Sequence, residues 1–189
     1  MKLVVLPGDG IGPEITDATL QVLDCVKRTL ALDLTFDVRT IGLQSLRADG
    51  TTLTPSVLNA CHATDAVILG PVSTADYPGP SAGGINVSAA LRTQLGLFAN
   101  IRPSRTRDGL AHWGRTSMDL LIVRENTEGF YADRNMHSGV GEFMPTPDLA
   151  LSVRKISAAA SERIARMAFA LSETRRRHVT AVHKSNVLV

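Results

Sequence analysis

The sequence predicts an α/β fold in which helices cover the faces of a parallel sheet. Short apolar runs at residues 3–6 and 66–69 are typical of buried strands, and the alternating segment 34–41 is typical of a third strand. Segments with apolar residues at helical spacing lie between these runs. Alternation of strand, helix and strand indicates a parallel sheet, because a helix carries the chain back to the start of the next strand.

The first helix is expected to follow a loop with three glycines at residues 8–12. Pro13 occupies a position that is favoured at the start of a helix, and Glu14 suits the positive end of the helix dipole. Thr54 and Pro55 predict the start of a second helix, with Thr54 as its cap. The first helix should extend to residue 30, because apolar residues recur at helical spacing: Ile15, Ala18, Val22, Val26 and Leu30.

We expect the chain to form two lobes, residues 1–99 and residues 100–189. Proline and glycine at residues 77–84 predict a loop, and a short helix is expected at residues 87–95. The segment 100–115 is polar and basic, unlike the strand and helix alternation before it. This change in composition marks the boundary between the lobes.

The second lobe should contain a buried strand at residues 120–123 and a final strand at residues 179–183. Residues 130–155 lack helical spacing and contain glycines and prolines, so extended arms are expected there. Ser157 is the expected cap of a helix, and the three arginines at 175–177 suit its C-terminal end.

Composition excludes several classes of protein. The chain has 189 residues, of which 44% are apolar and 20% charged, as in soluble globular proteins. A net charge of +2 and an aromatic content of 4% argue against nucleic-acid binding. Cys25 and Cys61 are interpreted as two buried thiols in a reducing cytoplasm. No signal peptide or membrane-spanning stretch is recognised, so we expect a cytoplasmic location and no membrane partner.

Three arginines are candidates for binding a small anion. Arg92, Arg102 and Arg124 each lie beside an apolar segment rather than within a run of charge. A guanidinium group binds a carboxylate through two parallel hydrogen bonds. Taken singly, each arginine more often forms a surface salt bridge. Together they predict a pocket for a small dicarboxylate or tricarboxylate.

Two residues are candidates for proton transfer. Tyr131 follows the strand predicted at 120–123, and loops at strand ends are where α/β proteins place their chemistry. Lys184 follows the strand predicted at 179–183 and is a candidate general base. The alternatives are a half-buried packing tyrosine and an exposed lysine. No residue is assigned as a metal ligand, and the loop at 8–12 departs from the dinucleotide fingerprint.

Four segments resemble the β-decarboxylating dehydrogenases, the isocitrate and 3-isopropylmalate dehydrogenase family. They are LPGDGIGPEI at 6–15, LRTQLGLFANIRP at 91–103, VRENTEGFY at 123–131 and VHKSNVL at 182–188. The combination is far more specific than any one segment. The resemblance implies a two-lobed α/β fold that is not a Rossmann fold. The first lobe is then the start of the cofactor-binding domain, and the second is the start of the substrate and dimerisation domain.

The resemblance implies a reaction. A metal-bound 2-hydroxy acid is oxidised by NAD or NADP, carbon dioxide is lost, and the enolate is reprotonated, with magnesium or manganese as the Lewis acid. Arg92, Arg102 and Arg124 correspond to the arginines that bind the malate carboxylates. Tyr131 corresponds to the tyrosine that protonates the enolate carbon. Lys184 corresponds to the lysine that assists removal of the hydroxyl proton, acting from the partner subunit of a homodimer.

The resemblance also places Gly10, Ile11 and Thr74 near the cofactor. Family chains are longer, and their metal-binding aspartates and adenosine loop follow the last matching segment. We therefore expect the C-terminal part of the fold, with the metal ligands, to be missing from this chain. A truncated, non-catalytic fragment or subunit is the alternative to an active enzyme.

The substrate stays open among 3-substituted malates. Isopropylmalate enzymes place leucines one turn before the first arginine, whereas this chain has Ser88 there and Asn86 two residues earlier. A polar pair favours isocitrate, homoisocitrate or tartrate, but residues 70–74 and 136–148 are not typical of the isocitrate branch. The prediction is a small hydroxy acid of the 3-isopropylmalate or isocitrate type, with homoisocitrate and tartrate as alternatives.

Overall fold

The computed structural model describes residues 1–110, 114, 116–129, 136, 141–184 and 186. The chain divides into two compact units, Met1–Leu95 and Gly96–Val189. Unit 1 is built on a three-stranded parallel sheet, and unit 2 contains two two-stranded antiparallel sheets.

The sheet of unit 1 consists of β1 (Lys2–Leu6), β2 (Thr35–Val38) and β3 (Ala66–Leu69), in the order β2-β1-β3. Both neighbours run parallel to β1. The apolar side chains of β1 are buried, as expected for the central strand of a sheet that is covered on both faces. The predicted parallel α/β arrangement is therefore confirmed.

Four helices accompany this sheet: α1 (Gly12–Thr29), α2 (Gly42–Asp49), α3 (Pro55–His62) and α4 (Val87–Gln94). Thr54 caps α3, since its hydroxyl accepts a hydrogen bond from the N–H of Val57 at 3.3 Å. The helix α2 was not predicted, because it is short and Ile41 before it offers no capping side chain. Within the described part of the chain, no helix combines the length and apolar composition that crossing a lipid bilayer requires.

The core of unit 1 forms where the helices meet β1, and it includes Val4, Leu6, Ile41, Leu53, Val57, Cys61, Val87 and Leu91. Cys61 is buried, as predicted, but Cys25 is exposed, so the prediction of two buried thiols is wrong for Cys25. The cause is helical geometry. The buried side of α1 carries Thr16, and a residue nine positions later lies on the opposite side of the helix.

Unit 2 contains β4 (Ala99–Arg105), β5 (Asp119–Glu125), β6 (Glu142–Thr146), β7 (Leu149–Ser152) and α5 (Ala158–Glu173). Strand β4 pairs antiparallel with β5, and β6 pairs antiparallel with β7. The helix α5 packs against β5. Ser157 caps α5, as predicted, because its hydroxyl accepts from the N–H of Ala160 at 3.1 Å.

The β6–β7 hairpin occupies part of the segment for which extended arms were predicted. Every residue of both strands is exposed, including Phe143, Met144, Leu149 and Leu151. Residues 130–135 and 137–140 of the same segment lie outside the described part of the chain. The hairpin therefore presents apolar side chains to solvent within unit 2.

The prediction of a strand at residues 179–183 is wrong. The chain there has no regular secondary structure, and the side chain of Val182 is 94% exposed. An apolar, β-branched segment becomes a strand only when a neighbouring strand accepts and donates its backbone hydrogen bonds. Its composition alone is therefore insufficient to make it a strand.

Candidate active site

Two loops are joined at the carboxyl edge of the unit 1 sheet. Residues 7–11 follow β1 and residues 70–73 follow β3, and the N–H of Asp9 donates to the carbonyl oxygen of Pro71 at 2.8 Å. Gly10 and Ile11 lie on the first loop, and the short 3₁₀ turn Thr74–Asp76 ends the second. Parallel strands carry their ligand-binding loops at this edge. The three residues predicted to lie near the cofactor are thus at one edge of the sheet.

The first loop depends on glycine at two positions for different reasons. Gly8 has a φ of +82°, and a Cβ atom there would collide with the carbonyl oxygen of Pro71. Gly10 has a φ of +57°, but the space that its Cβ would occupy is open. Ile11 beside it is 58% exposed. The backbone at Gly10 is therefore open to solvent, beside an exposed apolar side chain.

One buried carboxylate fastens three segments at this edge. Asp9 is only 7% exposed. Its Oδ1 accepts from the N–H of Leu43 at 2.7 Å, where α2 begins. Its Oδ2 accepts from the N–H of Ser73 at 3.1 Å and from the hydroxyl of Tyr77 at 2.5 Å. Sequence reasoning gave Asp9 and Tyr77 no role, and the only local signal was an acidic residue between two glycines after a buried strand.

Tyr77 is a fixed hydrogen-bond donor in this network. Burial raises the pKa of its phenol, and the hydrogen bond to the Asp9 carboxylate raises that pKa further. The phenol therefore stays protonated well above neutral pH.

The helix α4 carries the three residues predicted to contact substrate from unit 1. Asn86 is the N-cap, and its Oδ1 accepts from the N–H of Ala89 at 3.0 Å. Ser88 and Arg92 are half-buried and lie one turn apart, so they share a face of α4. Part of the hydrogen-bonding capacity of Asn86 is therefore used to start the helix, whereas Ser88 and Arg92 form a polar pair on its surface.

The β4–β5 sheet places Arg102 and Arg124 on one face. Asn100 pairs with Arg124, and Arg102 pairs with Ile122. Directly opposed residues share a face, as do residues two apart, so the two arginines are diagonal neighbours. The Nε–H of Arg102 donates to Oδ1 of Asn100 at 3.0 Å, which orients its guanidinium group. The structure thus brings these two arginines together, and Arg92 belongs to unit 1.

The turn after β5 is organised by Glu125. Its carboxylate accepts from the hydroxyl of Thr127 at 2.6 Å, from the N–H of Glu128 at 2.7 Å and from the guanidinium group of Arg163 at 3.2 Å. Burial alone would raise the pKa of Glu125, but these hydrogen bonds and that from the N–H of Thr127 lower it. The turn that leads toward Tyr131 is thereby fixed, although Tyr131 itself lies outside the described residues.

Lys184 lies at the rim of a large concavity in unit 2. The concavity has a volume of about 1370 Å³ and is lined by β5, α5 and the segment that contains Lys184. Arg124 also lines it. This volume exceeds the roughly 300–1,000 Å³ of most sites for small ligands. Arg124 and Lys184 can therefore both line the concavity without contacting the same substrate molecule. The role of Lys184 stays a prediction.

The side chains that the structure describes do not form a complete metal site. Among the residues whose positions are described, no group of three or more histidine, cysteine, aspartate or glutamate side chains is arranged to hold a metal ion. Three or more such ligands are the minimum for most protein metal sites. The described residues therefore do not fit a metal ion on their own.

Comparison with known proteins decides the family. A family model described as isocitrate/isopropylmalate dehydrogenase matches residues 2–189. The chain belongs to this family. It is 37% identical over 198 residues to 3-isopropylmalate dehydrogenase from Moorella thermoacetica and 35% identical over 193 residues to that from Staphylococcus haemolyticus. Each alignment covers 99% of this chain and 54% of the relative, so the chain spans about half the length of the curated relatives it matches.

Solved structures of isocitrate/isopropylmalate dehydrogenase relatives share the fold. Isocitrate dehydrogenase from Methylococcus capsulatus matches with a TM-score of 0.79 and 33% identity, over 99% of this chain and 52% of that one. A β-decarboxylating dehydrogenase from Thermococcus kodakarensis matches with a TM-score of 0.71 and 32% identity, over 99% and 50% of the two chains. These matches confirm the predicted isocitrate/isopropylmalate dehydrogenase-like α/β fold.

Proposed function

We propose that the full-length protein catalyses the metal-dependent oxidative decarboxylation of a 3-substituted malate by NAD or NADP. Membership in the isocitrate/isopropylmalate dehydrogenase family supports a dehydrogenase. The observation that carries the proposal is the placement of Arg102 and Arg124 on one face of the β4–β5 sheet. Two neighbouring guanidinium groups suit a substrate with more than one carboxylate.

In this proposal the arginines bind and orient the hydroxy acid. Arg102 and Arg124 bind its carboxylates, and the family resemblance assigns the same role to Arg92 of α4. The cofactor binds at the carboxyl edge of the unit 1 sheet, where it contacts Gly10, Ile11 and Thr74. The open backbone at Gly10 supports this role. When bound, the nicotinamide supplies the acceptor for the hydride that leaves the carbon bearing the hydroxyl group.

Two residues move protons. Lys184 assists removal of the hydroxyl proton, and Tyr131 protonates the enolate carbon after carbon dioxide has left. Two residues before Tyr131 in the sequence, Gly129 exchanges backbone hydrogen bonds of 2.8 and 2.9 Å with Lys155. Both proton-transfer roles are carried over from the family resemblance.

The proposal includes a homodimer in which Lys184 acts on the site of the partner subunit. The β6–β7 hairpin is the proposed dimer contact. Its strands are exposed, and Phe143 and Met144 are 48% and 64% exposed apolar side chains. Exposed strands with apolar side chains are natural pairing surfaces.

The free thiols of Cys25 and Cys61 support a reducing compartment, and we propose the cytoplasm.

The face of α4 that carries Ser88 and Arg92 supports a proposal about the substrate type. A hydroxyl group one turn before the arginine favours a polar substituent, such as the extra carboxylate of isocitrate. Relatives named 3-isopropylmalate dehydrogenase support the alkyl-substituted alternative. We therefore propose a substrate of the isocitrate or 3-isopropylmalate type, with homoisocitrate and tartrate as alternatives.

A substrate panel on the full-length gene product tests the proposal. 3-Isopropylmalate, isocitrate, homoisocitrate and tartrate are each supplied with NAD or NADP, in the presence of magnesium or manganese. The proposal predicts reduction of the cofactor with at least one of these acids and loss of that activity with a chelator. A folded preparation that reduces neither cofactor with any of the four acids contradicts it.

A second candidate function is a non-catalytic fragment or subunit. The observation that favours it is that the described side chains form no cluster able to hold a metal ion. Expression of the 189-residue chain alone tests this candidate. It predicts a folded chain without turnover under every condition of the panel, whereas any turnover by the purified chain contradicts it.

A further inference from the structure

We infer that Asp9 and Tyr77 are positioning residues that fix the geometry of the proposed cofactor-binding edge. The inference rests on the nucleotide-binding part of the proposed function. Neither side chain is proposed to touch the cofactor. They act through the backbone of the two loops that do.

The chain positions of the fastening points carry this inference. Asp9 directly precedes Gly10 and Ile11, and Ser73 directly precedes Thr74. The carboxylate of Asp9 accepts from the N–H of Ser73 at 3.1 Å and thereby joins the two loops immediately beside their proposed cofactor contacts. Because both acceptor oxygens belong to one planar group, a shift of either loop lengthens a hydrogen bond.

Tyr77 holds the second loop at its far end. Its hydroxyl donates to Oδ2 of Asp9 at 2.5 Å, so Oδ2 binds residues on both sides of Thr74. Thr74 therefore lies between two residues that donate to the same oxygen atom. Loss of the phenol hydroxyl would free one side of the turn while the bond from Ser73 remained.

The backbone next to Asp9 leaves space for its carboxylate group, because the neighbouring residue at the start of α2 is a glycine. Gly42 has a φ of +71°, and a Cβ atom at that position would collide with both carboxylate oxygens of Asp9. The absence of a side chain lets α2 begin directly against Asp9, where Leu43 donates at 2.7 Å. A buried carboxylate is tolerated only when such donors satisfy it.

If Asp9 and Tyr77 only stabilised the fold, their loss should lower stability without a specific effect on cofactor affinity. Thr52 provides the matched control for such a structural role. Thr52 is fully buried in the same unit. Its hydroxyl donates to the carbonyl oxygen of Ile85 at 2.7 Å and accepts from the N–H of Ile85 at 2.8 Å. It thus fastens two distant segments, as Asp9 does, but neither segment carries a residue proposed to contact the cofactor.

The experiment compares Tyr77→Phe, Asp9→Asn and Thr52→Val in the full-length gene product. Dissociation constants for NADH and NADPH are measured by fluorescence titration, together with thermal unfolding and the KM values for cofactor and hydroxy acid. Tyr77→Phe should raise the cofactor dissociation constant about tenfold or more, since it removes a hydrogen bond to a charged group. The KM for the hydroxy acid should change much less. Thr52→Val should lower the unfolding temperature without changing cofactor affinity.

Each outcome decides the inference. An unchanged cofactor dissociation constant in folded Tyr77→Phe overturns it, as does an equal rise in Thr52→Val. If Asp9→Asn fails to fold, Tyr77→Phe alone carries the test. Weaker binding in Tyr77→Phe supports the inference even if no 3-substituted malate is oxidised, in which case the proposed function alone has failed. Wild-type protein that binds neither NADH nor NADPH overturns both.

Discussion

Glu128 accepts two hydrogen bonds from Ser157, one from its backbone N–H at 2.7 Å and one from its hydroxyl at 2.8 Å. The same hydroxyl accepts from the N–H of Ala160 and caps α5. The contact between Glu128 and Ser157 therefore joins the residues that flank the segment 129–156, next to the backbone hydrogen bonds that Gly129 and Lys155 exchange. This contact links the start of α5 to the turn after β5.

Removal of the Ser157 hydroxyl should destabilise the protein. Ser157→Ala eliminates the cap of α5 and one of the two hydrogen bonds to Glu128, so the free energy of unfolding should fall by about 1–2 kcal/mol. Ser161→Ala is the control, because that exposed hydroxyl caps no helix and donates to the carbonyl oxygen of Ser157 at 2.9 Å. Denaturant titration measures both. Equal losses in the two variants would contradict the capping role.

Glu125 should make stability depend on pH in the acid range. Its pKa in the folded protein lies below the ordinary value of 4.5, because hydrogen bonds outweigh the effect of burial. A lowered pKa contributes stability that is fully present above the unfolded-state value and is lost as the pH falls through the folded-state value. Glu125→Gln lacks this titration, so its unfolding free energy should decline less steeply below pH 4.5. If the unfolding free energies of the wild-type protein and Glu125→Gln fall equally steeply with pH in the acid range, the lowered pKa of Glu125 is contradicted.

Arg102 should matter for catalysis, whereas another arginine of the same strand should not. Arg102→Ala removes a proposed carboxylate contact and should lower kcat/KM about tenfold to a hundredfold. Arg105 lies three residues further along β4, on the opposite face of the strand, so Arg105→Ala serves as the matched control. Steady-state kinetics with the preferred substrate measure both variants. A similar loss in both would contradict a specific substrate-binding role for the face that Arg102 shares with Arg124.

Some elements could be predicted because local chemistry decides them. The apolar run of β1 is followed by glycines and by Pro13 at the start of α1, and these signals lie within a few residues of each other. Thr54 and Ser157 could be predicted as caps because a threonine or serine hydroxyl before a helix can accept from the N–H three residues later. Both hydroxyls accept such a hydrogen bond in the structure.

Other elements could not be predicted because distant partners decide them. The strand β4 contains two arginines, an asparagine and Pro103, which obscure its alternation, yet it pairs with β5 over its whole length. Residues 179–183 have better strand composition but form no strand. Asp9 meets Tyr77 across 68 positions of the chain, so no local pattern reveals that contact. The substrate-binding role of Arg92 and the catalytic roles of Tyr131 and Lys184 stay predictions.

Ser88 should influence the choice between polar and alkyl substituents. Ser88→Leu places an apolar side chain one turn before Arg92, so the ratio of kcat/KM for 3-isopropylmalate to that for isocitrate should rise about tenfold. Thr93→Leu adds the same side chain to an exposed position of α4 and should leave the ratio unchanged. Competition assays with both acids measure it. An unaltered ratio in Ser88→Leu would place that face of α4 away from the substrate.

Coupling of oxidation to decarboxylation tests the central claim most directly. The full-length gene product is supplied with its preferred 3-substituted malate, isotopically labelled in the carboxylate on the carbon adjacent to the one that bears the hydroxyl group, since that carboxylate is β to the ketone formed by oxidation. Labelled carbon dioxide and reduced cofactor are measured in the same reaction. The account predicts equal amounts of the two products, and loss of both when Lys184 is replaced by methionine. Reduced cofactor without labelled carbon dioxide, or neither product from folded wild-type protein, would contradict it.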